Sequence, residues 1–148
     1  KVGLGVDGSA SNDSSHVLTE ARQALLLQRV NGGAAIFSVV EALRLATRGS
    51  ASVLGRDDIG VLETGKAADL IGVDLNTVSM AGGAVHDPLA ALLLCTIERV
   101  ALSVINGQVV VKNGQLVTID LPGLIERHNQ IAMEMVARHP EPERFKLV

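Results

Sequence analysis

The chain has the length and composition of a folded domain with a hydrophobic core. It contains 148 residues, of which 47% are hydrophobic and 20% are charged, with a formal net charge of -3. This apolar content excludes a disordered chain. The 13 basic residues form no long run, and the chain has two Phe, no Tyr and no Trp. The sequence therefore lacks the basic patch and the stacking residues that nucleic-acid binding requires.

Cysteine content and hydropathy predict a cytoplasmic protein that contacts no membrane. The single cysteine, Cys95, has no partner for an internal disulfide. No stretch approaches about 18 consecutive apolar residues, and the first residues lack the order of a signal peptide. Lys1 leads directly into an apolar run with no preceding turn or cap. We therefore expect the chain to begin within a fold.

The first elements are predicted to be a strand, a polar loop and a helix. The apolar run at residues 2–6 predicts a short buried strand that ends at Asp7. Small polar residues follow over 8–15, which is typical of a surface turn or the rim of a site. The apolar spacing over residues 16–28 predicts a helix. Asn-Gly-Gly at 31–33 is expected to end that helix.

A capping box marks the next helix. Ser38 and Glu41 have the spacing in which a hydroxyl and a carboxylate each satisfy a backbone N–H at a helix start. The pattern predicts a helix over residues 39–48. Gly49 and Ser50 are expected to interrupt it before a further helical turn at 51–54.

The centre of the chain mixes short elements with an irregular stretch. Residues 63–66 predict a turn, and 69–73 predict a strand. Residues 76–87 are rich in Gly, Ser and Ala and are expected to be the least regular part. Pro88 favours the first turn of a short helix that continues to Leu93.

Two Asn-Gly pairs predict an antiparallel meander. The apolar runs at 100–105, 108–112 and 115–118 are separated by Asn106-Gly107 and Asn113-Gly114. Asn-Gly is a strong signal of a two-residue hairpin, because both residues tolerate positive φ.

A final helix is predicted from about residue 121 to Arg138. Asp120 offers an N-cap and Pro122 fits the first turn. One face carries apolar residues together with a histidine: Leu124, Ile125, His128, Ile131, Ala132, Met135 and Val136. Pro140 and Pro142 are expected to stop the helix.

Two patterns in the sequence resemble phosphate-binding loops but lack parts of them. Gly3-x-Gly5-x-x-Gly8 has the spacing of a dinucleotide fingerprint, yet only two residues precede it and Asp7 would repel a pyrophosphate. In Gly60-x-x-x-x-Gly65-Lys66, Ala67 stands where a Ser or Thr must hold magnesium. We interpret the first as a strand and loop, and the second as a tight turn between strands.

Asp7 is the candidate functional residue that the pattern singles out. A carboxylate at the end of an apolar strand is either a simple cap or a metal ligand or proton shuttle, and spacing does not decide between them. The histidines His16, His86, His128 and His139 are too scattered for a local metal motif. A structural or surface role is expected for each of them, although His86 lies in a small-residue stretch that can fold over a pocket.

Several segments together resemble one enzyme family. Residues 3–13 (GLGVDGSASND) are similar to the segment around the last barrel strand of the amidohydrolase superfamily, in its aminohydrolase branch, which deaminates nucleobases and s-triazines. Further matches run along the chain: Glu41-Ala42-Leu43, Ala46-Thr47, Gly49, Leu54-Gly55, Ile59-Gly60-Val61-Leu62, Gly65-Lys66, Ala68-Asp69-Leu70, His86-Asp87-Pro88, Val104-Ile105-Asn106-Gly107 and Val109-Val110. Each match is weak alone, but jointly they cover most of the chain.

This resemblance implies an α/β fold that is incomplete on its own. It comprises the last strand and helix of a metal-dependent (β/α)8 barrel, expected at residues 1–58. Residues 59–120 then form part of a small β-sandwich domain with an inserted loop and a short helix, and residues 121–148 form a C-terminal helix and tail. Because a full barrel takes about 250 residues, the missing N-terminal barrel portion is an implied partner.

The resemblance also implies a metal and its chemistry. The family holds a divalent metal, usually zinc, through an HxH pair, a further His and an Asp on the last strand. Only the Asp has a counterpart here, and it is Asp7. The metal lowers the pKa of its bound water toward about 7. Asp7 is thus implied to be both a ligand and the proton shuttle of that water.

The implied reaction is hydrolytic deamination of a small heterocyclic substrate, a purine-like ring of the 8-oxoguanine type. Ser9 is a candidate contact to the ring, other substrate contacts are unknown, and the 148 residues alone are expected to be inactive. An s-triazine or guanine aminohydrolase is the alternative within the class. The alternative of another class is a non-catalytic module that self-associates as a homo-oligomer through its apolar strand and helix faces.

Overall fold

A computed structural model describes residues 1–8, 11–12 and 14–138 of the chain. It divides into two compact units, Lys1–Gln115 and a second that begins at Leu116. Within the described residues, no helix is both long enough and apolar enough to cross a membrane.

The first helix, α1, runs over Val17–Gly32 and confirms the predicted helix, with four more residues at its C-terminal end. Gly33 follows in the left-handed region at φ +89°, and its N–H donates to the Arg29 carbonyl. Glycine reaches this backbone conformation without steric cost, so it ends the helix where the sequence predicted.

Helix α2 (Val39–Arg44) begins with the predicted capping box. Ser38 Oγ accepts the Glu41 N–H at 3.2 Å, and the Glu41 carboxylate accepts the Ser38 N–H at 2.7 Å. The predicted break at Gly49 and Ser50 is wrong. A π-helical segment, Leu45–Gly49, joins α2 directly to α3 (Ser50–Val53), and Gly49 keeps helical dihedral angles. A π turn contains one more residue than an α turn, and this extra residue is accommodated within the helix, so the helix continues.

The core of the first unit lies between α1, α2 and α5, a later helix over Pro88–Leu94. Four fully or almost fully buried residues form it: Ala21, Leu25, Ala42 and Leu93. Partly buried apolar residues surround them: Leu4, Leu18, Phe37, Val39, Leu43 and Ala46. Ala21 on α1 and Ala42 on α2 are small enough to let the helices approach closely, and Leu25 on α1 and Leu93 on α5 fill the space between them.

Residues 2–6 form no strand with any part of the chain that the structure describes. The prediction of a strand here is wrong, because a β-strand requires backbone hydrogen bonds to a neighbouring strand and this segment makes none within the described residues. Here the Ser50 hydroxyl accepts the Leu4 N–H at 3.1 Å and lies 2.9 Å from the Leu4 carbonyl oxygen. The Leu4 side chain packs against the core cluster.

A four-stranded antiparallel sheet has the order β1-β2-β3-β4. Its strands are Leu70–Gly72, Leu102–Ile105, Gln108–Lys112 and Gln115–Leu116. The predicted meander is confirmed, with β1 added beside β2. Both Asn-Gly turns have positive φ at each residue: +49° and +78° at Asn106 and Gly107, +52° and +73° at Asn113 and Gly114. These angles fit a type I′ hairpin turn.

The stretch predicted to be irregular contains a one-turn helix, α4 (Gly83–His86). Its four residues place His86 at a helix end and not in a loop, because the His86 N–H donates to the Gly82 carbonyl at 3.2 Å. Asp87 then caps α5 by accepting the Leu89 and Ala90 N–H groups, each at 3.0 Å. Pro88 occupies the first turn as predicted.

The last helix, α6 (Leu121–Arg138), confirms the predicted element. The Asp120 carbonyl accepts the Leu124 N–H at 3.1 Å. The predicted apolar face is present, but its side chains are about half exposed, from Ile131 at 48% to Val136 at 65%. Pro140 and Pro142, which were expected to stop the helix, lie outside the described residues.

Candidate active site

Asp7 sits at the end of the segment that Leu4 anchors to the core. Its backbone has φ +58°, a left-handed conformation that Asp adopts more readily than most residues. Its Oδ1 accepts the Gly8 N–H at 2.8 Å, and the residue is exposed. The bond to Gly8 orients the carboxylate at the surface of the first unit.

The loop after Asp7 is fastened to α1 by Asn12. Its Oδ1 accepts the N–H groups of Ser14 and Ser15, each at 3.0 Å, and its Nδ2 donates to Glu20 Oε1 at 2.8 Å. Sequence reasoning missed this role. The sequence does contain a signal for it, because Asn12 lies in a run of serines. In such segments an Asn side chain often accepts hydrogen bonds from the backbone N–H groups two and three residues ahead.

The three histidines that the structure describes lie on or beside different helices. His16 precedes α1 and makes no capping bond with its side chain, His86 ends α4, and His128 lies exposed on α6. Ser9 and His139 lie outside the described residues. Over residues 1–8, 11–12 and 14–138, no three His, Cys, Asp or Glu side chains are grouped to hold a metal. Zinc takes three or four protein ligands, so Asp7 is one donor and not a complete site.

Neither phosphate-loop pattern forms a phosphate site in the described residues. Gly65 has φ +85°, and the Lys66 N–H closes a turn onto the Glu63 carbonyl at 3.2 Å. The Lys66 ammonium donates to the Asp57 carbonyl at 2.7 Å. No helix begins at Gly8, since α1 starts at Val17. The predicted turn at Gly65 is confirmed, but no strand precedes it in the described residues, and the first pattern contains no strand either.

The groups with shifted pKa values lie away from Asp7 in sequence. Hydrogen bonds from the Ser38 hydroxyl and N–H lower the pKa of Glu41. The bond from Arg56 lowers the pKa of Asp58, and the same bond raises the pKa of Arg56. Both pairs are exposed, so they stabilise local turns and are not a catalytic pair.

A cavity of about 660 Å³ opens elsewhere in the first unit. Its charged lining residues are Asp74, Glu98 and Arg99, and Asp7 does not line it. Its lining also includes Met80, which is buried, and Val78, which is almost fully exposed. The cavity therefore brings no second group to the Asp7 carboxylate.

Comparison with known proteins identifies the family. The amidohydrolase family model matches residues 1–117. The chain is 48% identical over 136 residues to an 8-oxoguanine deaminase of Pseudomonas aeruginosa, covering 92% of this chain and 30% of that protein. It is 42% identical over 142 residues to a hydroxydechloroatrazine ethylaminohydrolase of Pseudomonas sp. strain ADP, covering 93% and 28%. The chain thus spans about a third or less of the length of these relatives.

Solved structures agree with the sequence comparison. An atrazine chlorohydrolase from Arthrobacter aurescens complexed with zinc is 41% identical, with a TM-score of 0.76 over 84% of this chain and 28% of that one. An adenosine deaminase from Xanthomonas campestris with bound zinc is 30% identical, with a TM-score of 0.82 over 91% and 31%. The resemblance and the α/β fold class expected from the sequence are confirmed. This chain belongs to the amidohydrolase family.

Proposed function

We propose that this chain is part of a metal-dependent hydrolytic deaminase of a purine-like ring, with 8-oxoguanine as the first candidate substrate. The observation that carries the proposal is the 48% identity to an 8-oxoguanine deaminase over 92% of the chain. The family match covers residues 1–117, a range that includes Asp7, helices α1 to α5 and the sheet. The enzyme would act in the cytoplasm.

Asp7 is the residue of this chain to which we assign the chemistry. A divalent cation, with zinc as the first candidate, supplies Lewis-acid activation of water when bound. Asp7 would contribute its carboxylate as one of the ligands that hold this cation. It also takes the proton of the water that adds to the ring carbon and delivers it to the departing amine nitrogen. The C–N bond breaks, ammonia leaves, and the added oxygen stays on the ring carbon as a carbonyl, while the second proton of the water ends on the adjacent ring nitrogen.

Two features of the structure support this role. Asp7 is exposed, so a substrate has access to it, and Leu4 ties its segment to the core. The remaining cation ligands would come from the full-length protein, since Asp7 is a single donor. In that protein, residues 1–58 would complete a barrel, residues 59–120 would belong to a small β domain, and residues 121–148 would form the last helix and tail.

The test compares two Asp variants of the full-length, zinc-loaded protein. Ammonia release from 8-oxoguanine is measured for D7N and for D57N, which also replaces an exposed carboxylate. We expect D7N to lower kcat by at least about 10²-fold, with an unchanged circular dichroism spectrum. D57N should stay within about twofold of the unsubstituted protein. Near-normal turnover by D7N would refute the assignment.

Leaving-group chemistry separates the two roles of Asp7. An amine departs only after protonation, whereas chloride departs as an anion and needs no proton. For two rings that differ only in this group, a shuttle at Asp7 predicts that D7N slows the amine substrate more than the chloride substrate. Equal losses would leave Asp7 as a ligand without a shuttle role.

An s-triazine or guanine aminohydrolase is the second candidate. The 42% identity to a hydroxydechloroatrazine ethylaminohydrolase favours it. Parallel kcat/KM measurements on 8-oxoguanine, guanine and an amino-s-triazine decide between the candidates. A higher kcat/KM on the triazine would reject the purine proposal while keeping the deaminase class.

The non-catalytic alternative is supported by the half-exposed apolar side chains of α6. It predicts a concentration-dependent homo-oligomer and no ammonia release from any of the three rings. Sedimentation and the substrate panel, run on the same preparation, test it.

A further inference from the structure

Ser50 makes both backbone hydrogen bonds of Leu4, the residue that anchors the Asp7 segment. Its Oγ accepts the Leu4 N–H at 3.1 Å and lies 2.9 Å from the Leu4 carbonyl oxygen. The Leu45 carbonyl is a second acceptor for the same hydroxyl proton, at 3.0 Å. Within the described residues, one side chain thus satisfies both the N–H and the carbonyl group of Leu4.

The contact depends on close approach of two backbones. A Cβ at Gly3 would lie 2.6 Å from Ser50 Cα, and a Cβ at Gly49 would overlap the Val2 carbonyl oxygen. Only glycine fits at either place without a shift of the chain. Gly49 ends the π segment, so this wider turn and the two glycines together bring the Ser50 hydroxyl to Leu4.

The bonds act on the part of the chain that carries Asp7. Three peptide units separate Leu4 from Asp7, a reach of about 10 Å when extended. The Leu4 side chain fixes the segment to the core on one side, and the Ser50 bonds fix its backbone along the helix. Removing the hydroxyl would leave the core contact of Leu4 in place and remove both hydrogen bonds to its backbone.

We propose that Ser50 is a positioning residue for Asp7 in the hydrolytic reaction. This inference rests on the proposed function, because it gives Ser50 a role through the carboxylate that performs the proton transfer. Ser50 touches neither substrate nor metal. It holds the Leu4 backbone so that the Asp7 carboxylate meets the reacting atoms, and misplacement of a catalytic group by about 1 Å costs on the order of 10²-fold in rate.

The test uses three variants of the full-length, zinc-loaded protein. S50A removes the hydroxyl, G3A pushes the segment away from the helix with the hydroxyl still present, and S52A is the control. Ser52 lies on the same helix, and its hydroxyl makes no hydrogen bond within the described residues. Ammonia release gives kcat and KM, circular dichroism gives the folded fraction, and hydrogen exchange reports on the Leu4 amide.

For S50A and G3A we expect kcat to fall by about 10- to 100-fold, with KM within about threefold and the folded fraction unchanged. Exchange of the Leu4 amide should accelerate in both, and S52A should match the unsubstituted protein. An S50A enzyme with normal kcat, or a loss carried by KM alone, overturns the positioning role while leaving the deaminase proposal standing. An unsubstituted protein without deaminase activity overturns both, and unchanged exchange at Leu4 in S50A overturns the hydrogen-bonding basis.

Discussion

Leu25 is the side chain whose truncation should cost the first unit most stability. It is fully buried on α1 and belongs to the cluster with Ala21, Ala42 and Leu93. Leu25→Ala removes three carbon atoms from this site, which at about 0.8 kcal/mol each is about 2.5 kcal/mol of transfer free energy. A cavity contribution adds to this, and the partly buried neighbours allow some collapse, so we expect a total loss of about 3 kcal/mol.

Urea denaturation of the full-length protein measures the loss as a shift in midpoint at constant slope. Leu27→Ala is the matched control, because Leu27 lies on the same helix with 59% of its surface exposed. Its truncation should cost about 1 kcal/mol or less. If Leu25→Ala lowers the free energy of unfolding no more than Leu27→Ala does, α1 does not pack against the core through the face that carries Leu25.

Two further predictions concern local hydrogen bonds. The pKa of Glu41 is lowered by its bonds from Ser38, so the stabilisation by this carboxylate should be complete above the ordinary Glu pKa of about 4.3 and lost as pH falls through the lower folded value. Urea midpoints measured against pH should show this loss in the unsubstituted protein and not in E41Q. Asn12→Ala should accelerate amide exchange at Ser14 and Ser15 by roughly fivefold, the equivalent of about 1 kcal/mol. E20Q keeps an oxygen acceptor for the Asn12 side chain, so it should not accelerate exchange of the Ser14 and Ser15 amides. Equal exchange rates in N12A and E20Q would show that the Asn12 side chain does not hold this loop.

The elements that the sequence predicted well are those whose signal lies within a few residues. The capping box needs only Ser38 and Glu41, and each hairpin turn needs one Asn-Gly pair. In these cases the stabilising hydrogen bonds or the positive φ values involve neighbours in sequence. The local pattern therefore contains the whole cause of the local structure.

The errors fall where a distant partner decides the outcome. Gly49 and Ser50 resemble a helix break, but a π turn carries the helix through them while Val2 and Gly3 pack against that turn. Residues 2–6 have the composition of a strand, yet their backbone partner is a side chain 46 residues away. No periodicity in either segment reports such a contact.

For the candidate site too, the sequence predicted the local features, while the contacts with distant residues became visible only in the structure. Apolar residues ending in a carboxylate left Asp7 open as a cap or a ligand, and only the family resemblance favoured the ligand. The structure adds what neither source contained: the chain on each side of Asp7 is held by a different side chain, Ser50 through Leu4 before it and Asn12 through Glu20 after it. Contacts on both flanks are compatible with the proposed catalytic role, because the rate contribution of a catalytic group depends on its placement.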